Sequence, residues 1–180
     1  MVNDLSSIPK FGDVFIDTSV LVYVHGMLIP SELYEKYHKQ NAYINALGAL
    51  LKDRRKLVTT WLNVIEMLHV HERHMREEYE SLYIAPSIIS KRDYRQIAEQ
   101  RMRVQAELKR ILGEIRTYYT VISAEIQEST VDRFVNTYDS HSFDSNDFHA
   151  VESAISNKVT IVISDDSDFY SDIRLATYTY

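Results

Sequence analysis

At 180 residues, with 45% hydrophobic and 26% charged side chains and only four Gly and three Pro, the chain suits one domain that buries its own core. A formal net charge of −6 argues against coating nucleic acid by bulk electrostatics, and the absence of Cys excludes disulfides, thiolate metal ligands and a Cys nucleophile. No apolar run approaches the roughly 20 residues of a membrane span, and "MVNDLSSIPKFGD" lacks the layout of a signal peptide, so the expectation is a cytoplasmic protein.

The first element is a short strand, Val14 to Ile16, with Asp17 standing at its end. "SELYEKYHKQNAYINALGALLKD" follows with helical spacing, placing Leu33, Tyr37, Ile44, Leu47 and Leu51 on one stripe. "KLVTT" reads as a second strand, after which Thr59 or Thr60 caps the helix "WLNVIEMLHVHERHM". Pro86 breaks that helical region. A further helical stretch from about Ser90 to Arg116 repeats apolar residues at Tyr94, Ile97, Val104, Leu108 and Ile111. "YYTVIS" is a third strand, and Ser123 is placed to cap the helix "AEIQESTVDRFVNTY". The polar loop "DSHSFDSND" leads into the helix "FHAVESAIS", then the fourth strand, "KVTIVIS", and "RLATYTY" as a short edge strand. Strands alternating with helices mean an α/β domain with a mostly parallel sheet flanked by helices, and the long central helices extend it.

Charge is unevenly placed along this order. Residues 91–110 carry seven cations, Arg92, Arg95 and Arg103 among them, against three acids, giving +4; residues 139–172 carry eight acids against Lys158, giving −7. Two solvated faces is the plain reading; a polyanion site beside a cation site is the sharper one.

The acids concentrate where a parallel sheet binds its ligands, beyond the carboxyl ends of the strands. Asp17 follows strand one, and Asp165, Asp166 and Asp168 follow strand four in "TIVISDDSDF". Glu66 sits early in the helix after strand two, and Asp147 opens the helix before strand four. Two carboxylates about 4 Å apart repel by roughly 4 kcal/mol at an effective dielectric of 20, a large share of the roughly 5–15 kcal/mol that holds a domain together. Converging acids therefore call for a cation or a retained proton. An all-oxygen set suits a hard ion, Mg²⁺ or Mn²⁺.

"FIDTSVLV", "TTWLNVIEML", "SNDFHAVESAI" and "VISDDSDF", in that order, resemble the PIN-domain ribonucleases, which include the VapC-type toxins. The family pattern matches Asp17, Glu66, Asp147 and Asp166, with Asp168 as the second acid of the final turn. Ser164 stands where the family usually has Thr, and Asp165 fills a variable position. The resemblance implies a Mg²⁺- or Mn²⁺-dependent endoribonuclease with Asp17, Glu66 and Asp147 as main metal ligands and Asp166 completing the cluster or positioning the water. Such a metal lowers the pKa of a bound water and stabilises the leaving oxygen. Ser19 would bond a carboxylate or the scissile phosphate, and Arg92, Arg95 and Arg103 would guide RNA by phosphate contacts. A toxin role with an antitoxin partner rests on the resemblance alone. A homodimer is expected, with the apolar faces of the 31–51 and 91–112 helices as its interface.

Plainer readings stand beside these. Asp17 caps a turn, Glu66 pairs with an Arg or Lys, Asp147 complements a helix dipole, and Asp144 is a loop residue. "HVHERH" lacks the H-E-x-x-H spacing of a zinc site, so His69, His71 and His74 read as solvated or hydrogen-bonded. Tyr118 and Tyr119 are candidates for base stacking. No phosphate-binding G-x-x-x-x-G-K-[ST] or nucleophile-elbow G-x-S-x-G occurs. A haloacid-dehalogenase-like phosphatase generally needs a second Asp where Ser19 stands. The main rival is a PIN-like module that binds RNA or protein without cutting it.

Overall fold

The computed structural model of the protein describes residues 3–26, 34–83, 89–123, 127–138, 143–172 and 174–180. Its strands are β1 (Asn3–Asp4), β2 (Val14–Ile16), β3 (Leu57–Thr60), β4 (Tyr119–Ile122), β5 (Ile161–Ile163) and β6 (Ala176–Thr179). They form one six-stranded sheet in the order β1-β6-β5-β2-β3-β4, and every pairing is parallel. The helices among the described residues are α1 (Thr18–His25), α2 (Tyr34–Lys52), α3 (Trp61–Tyr83), α4 (Lys91–Gln96), α5 (Ala98–Tyr118), α6 (Glu128–Asn136) and α7 (Ser145–Ser156). None is long and apolar enough to cross a membrane.

The period-2 alternation of the central strands sends neighbouring side chains to opposite faces. Val14, Ile16, Ile161 and Ile163 join α1, α2, α3 and α5 in one core, through Leu21, Tyr43, Leu47, Met67, Ile111 and Ile115. Phe15, Val58 and Val162 face the other way, onto Phe148, Val151 and Ala154 of α7 and onto Phe169. Burial on both sides explains why these strands read as continuous apolar runs.

Helix ends are specified locally. Thr60 Oγ1 accepts the Asn63 amide at 3.1 Å, Ser90 caps α4 by accepting from the Asp93 amide, and Asp144 caps α7 by accepting from the Asn146 and Asp147 amides. At the far ends of α2 and α7, Arg54 (φ 58°) and Lys158 (φ 61°) adopt the left-handed conformation. The following amides, Arg55 and Val159, return to the Leu50 and Ala154 carbonyls, which closes the helix so that the next strand can start.

Several expectations shift. The stretch after Asp17 is helix α1, and Leu33, Pro86 and the residues directly after Ser123 lie outside the described residues. On α2, Tyr37, Ile44 and Leu51 are exposed while Gln40, Tyr43, Leu47 and Leu50 are buried; the buried stripe is rotated so that Tyr43 enters the core, its hydroxyl fixed by Asp165 and Thr179. The 90–116 stretch divides at Ile97 into α4 and α5. The helix before β5 starts at Ser145, so Asp147 lies in its first turn. β6 is not an edge, since β1 pairs outside it.

Candidate metal centre

The chain leaves β2 toward β3 and β4 on one side, and returns through α7 to β5 on the other. A crevice opens beyond the carboxyl ends of β2 and β5 at such a reversal of strand order, the usual ligand position of a parallel sheet. Asp17 and Ser164 are the residues that follow these two strands.

Asp17 is buried and forms the N-cap of α1. Its Oδ2 accepts from Ser19 Oγ (2.7 Å), the Ser19 amide (3.3 Å) and Ser164 Oγ (2.9 Å), and its Oδ1 accepts from Asn63 Nδ2 (3.2 Å). Burial pushes its pKa up, and the hydrogen bonds from Ser19 and Ser164 hold it back. Ser19 therefore takes the carboxylate-bonding role of the two expected for it. Ser164, fully buried, also accepts the Asp166 amide at 2.9 Å, so one hydroxyl ties Asp17 to the turn that carries Asp166 and Asp168.

Glu66 reaches the crevice from α3 and accepts from Thr18 Oγ1 at 2.9 Å. Burial raises its pKa; the Thr18 bond opposes this, and the charges of Asp17, Asp144 and Asp166 add to it. Asp147, in the first turn of α7, is pushed up to about 7, first by burial and then by the charges of Asp144, Asp17, Asp166 and Glu66. Asp166 caps the short 3-10 helix Ser167–Ser171, its Oδ1 accepting the Asp168 amide at 2.9 Å. Buried Phe169 anchors that turn in the second core.

One oxygen each from Asp147, Asp166 and Asp168 lies within 4.8 Å of the others, close enough to share one ion. Asp17 and Glu66 stand outside this triad, yet near enough for their charges to raise Asp147. The structure thus gathers all five expected acids around one crevice, with a different emphasis. The ion-sized group is made by the α7 and turn acids, and Asp17 is the most internally bonded member. Asp144 is not a bare loop residue; it caps α7 and adds charge to the group.

Asp165 turns away. Its carboxylate meets Lys39 Nζ at 2.8 Å and accepts from Tyr43 OH at 3.1 Å, while its amide donates to Ser19 Oγ at 3.0 Å. Among the basic candidates, Arg95 is bound to Glu72 and Arg103 to Glu78 (2.7 Å); Arg92 is exposed. His71 is neither solvated nor hydrogen-bonded; it is buried, with Nε2 at 3.6 Å from Glu107, and burial lowers its pKa. Tyr119 is buried and bonds His25 Nε2 at 2.8 Å. Both Tyr118 and Tyr119 sit at the amino end of β4, away from the acids.

The donor set fits a hard divalent ion. Buried Glu152 is held by Arg133 and Arg174, buried Glu72 by Arg95 and Lys91, and Asp165 by Lys39. Among the described residues no Lys or Arg pairs with Asp17, Glu66, Asp147, Asp166 or Asp168. A group of acids left without cations in a fold that neutralises its other buried acids is short of positive charge. Sequence reasoning missed Thr18 and Asn63, the two side chains that fix Glu66 and Asp17 from 48 and 46 residues away. Neither a scan of protein-family models nor a search of curated proteins returned a match to this chain.

Proposed function

We propose that this chain is a divalent-metal-dependent hydrolase of nucleic-acid phosphodiester bonds. Within that class the reading it supports best is a PIN-like endoribonuclease, of the kind that acts as a toxin restrained by an antitoxin. The observation that carries it is the unpaired carboxylate group at the strand-order reversal. Asp147, Asp166 and Asp168 would hold Mg²⁺ or Mn²⁺, and Asp17 and Glu66 would hold its outer waters or a second ion. Such an ion would activate water and neutralise the leaving oxygen.

The chain's own residues set the geometry. Ser19, Ser164, Asn63 and Thr18 donate to Asp17 and Glu66 and hold both carboxylates with their oxygens fixed. Asp147, pushed up to about 7 by burial and the neighbouring acids, would give up its proton when a cation joins the group, since an opposite charge at that distance favours the ionised form. Two apolar surfaces suit the partners this reading requires. A groove of about 520 Å³ between α3 and α5, floored by Ile65, Leu68, Val104 and Leu108, suits an antitoxin segment. The exposed Tyr37, Ile44 and Leu51 of α2 suit a second copy of the chain.

The test is RNA cleavage by purified protein with Mg²⁺, Mn²⁺ or EDTA, beside identically prepared Asp147→Asn and Asp166→Asn. The expected result is metal-dependent cleavage, reduced at least ~100-fold in both variants while their circular dichroism is unchanged; losses of that order follow removal of one preorganised charged group. Intact structured and unstructured RNAs, together with no heat of Mn²⁺ binding, would defeat the proposal. Metal binding without cleavage would favour the binding module.

A further inference from the structure

A second pocket, of about 260 Å³, lies between α3 and α4 and shares Glu66 with the carboxylate group. Its polar wall is Glu66, His69, Glu72, Arg73 and Arg76 on α3 with Lys91 on α4, and Tyr94 closes it. Residues 66, 69, 73 and 76 follow one another at intervals of three and four, so they form a single stripe along α3. At 1.5 Å rise per residue, Arg73 stands about 10 Å and Arg76 about 15 Å from Glu66 along the axis. Glu66 stands at one end of the pocket, and beyond it three cations, Arg73, Arg76 and Lys91, outnumber the one further acid, Glu72.

The cations in it are only partly engaged by their neighbours. Arg73 Nε and Arg76 Nε approach Glu77 and Glu80 only to 3.9 and 3.8 Å, and Arg76 Nε is enclosed without a hydrogen-bond partner. Lys91 lies 3.4 Å from Glu72, a carboxylate that already receives both nitrogens of the Arg95 fork; two cations on one acid leave a positive excess. A free small anion would be repelled by Glu66. A polyanionic strand would not, because one of its phosphates would meet the metal at that end while the next reached the arginines. The volume lies below the ~300–1,000 Å³ of a pocket enclosing a drug-sized ligand, which suits one nucleotide unit, with Val70 and Tyr94 as its apolar lining.

We infer that this α3–α4 pocket is the subsite for the nucleotide flanking the cleaved bond, its phosphate held by Arg73, Arg76 and Lys91. The strand accordingly runs along α3, and not over Arg95 and Arg103, whose charges are engaged by Glu72 and Glu78. The inference rests on the nuclease reading.

The test uses the Asp147→Asn protein, in which cleavage is suppressed, and a short fluorescein-labelled single-stranded RNA. Affinity is measured over a range of salt for added Arg73→Gln, Lys91→Gln and Arg73→Lys, with Arg116→Gln at the far end of α5 as control. Each lost phosphate contact lowers the slope of log K against log salt by about 0.7. Arg73→Gln and Lys91→Gln are expected to bind about 3–10-fold more weakly at low salt with that smaller slope, Arg73→Lys to recover most of both, and Arg116→Gln to match its parent. Folding alone does not move a salt slope. Unchanged affinity and slope in Arg73→Gln and Lys91→Gln, or equal losses in Arg116→Gln, would overturn the subsite while wild-type cleavage still upheld the nuclease. A parent that neither binds this RNA nor, as wild type, cleaves it would overturn both.

Discussion

Replacing Asp147 by Asn separates a metal ligand from a structural acid, because the two roles predict opposite changes in stability. The carboxyl is raised from its ordinary 3.8 to about 7, so the folded protein binds this proton more tightly than the unfolded chain does. Stability associated with the protonated form is fully present below about pH 4 and is lost as pH rises through about 7. At about 1.4 kcal/mol per tenfold change in acidity the loss is at most about 4 kcal/mol; solvent around this partly exposed group reduces it to about 1–2 kcal/mol. Asparagine forfeits the interaction of a first-turn acid with the α7 dipole, about 0.3–1 kcal/mol. Repulsion and burial outweigh the dipole. In EDTA at pH 8, Asp147→Asn is therefore expected to be more stable than wild type by about 1 kcal/mol, or about 2–4 °C in Tm for a chain of this size. As pH falls from about 7 toward 4 the difference narrows, and it closes below about pH 4, where the unfolded carboxyl carries its proton as well.

Metal is expected to reverse the order. If the proposal holds, Mn²⁺ at a hundredfold excess over its Kd would stabilise the wild type by about 2.7 kcal/mol, and the variant, lacking one of the three carboxylates close enough to share an ion, should lose most of that gain. The assay is thermal unfolding followed by circular dichroism between pH 5 and 8, in EDTA and in Mn²⁺. A variant that is no more stable in EDTA at pH 8, or that gains as much from Mn²⁺ as wild type does, would refute the reasoning.

Ser164→Ala removes the buried donor to Asp17 and the acceptor of the Asp166 amide; urea unfolding should show a loss of about 1–3 kcal/mol, with Mn²⁺ affinity falling because the turn acids are no longer fixed, and an unchanged affinity would contradict the role given to this hydroxyl. Lys39→Met strips the part-buried Asp165 of its cation and should cost about 1–2 kcal/mol, between exposed and fully buried pairs. Since Asp165 faces away from the crevice, the same variant should keep its Mn²⁺-induced rise in Tm; a rise abolished in Lys39→Met would place Asp165 among the ligands after all.

The alternation of elements was legible in the sequence because β2 and β5, buried on both faces, carry unbroken apolar runs and β3 opens on Leu57 and Val58 before its buried Thr59 and Thr60. Helix α1 was not, because "TSVLVYV" is rich in β-branched residues and reads as more strand; only the Asp17 cap marks the change of period. β1 is two residues long and visible only through its partner Tyr178–Thr179. At the site, the acids themselves were legible from their places after strands and at helix starts. The direction each points was not. Asp165, Asp166 and Asp168 look equivalent along the chain, yet Asp165 enters a network with Lys39 and Tyr43 while the other two face Asp147. That division depends on α2, more than a hundred residues earlier, and no local pattern reports it.

The arrangement of hydroxyls argues that the charge in the crevice is retained for use. Had the fold needed only a cap for α1, one Ser19 amide bond to Asp17 would suffice. Instead Ser19, Ser164 and Asn63 all donate to the same carboxylate, and each such donor stabilises the ionised form against the burial that would protonate it. Thr18 does the same for Glu66. Hydroxyls and an amide lower the cost of holding a buried anion without cancelling its charge, which an arginine would do, as Arg133 and Arg174 do for Glu152. Two acids whose charge is eased by hydrogen bonds and cancelled by no cation, beside an ion-sized triad, would on the proposed reading draw a divalent cation into the crevice, and a phosphate would follow only once that cation was present.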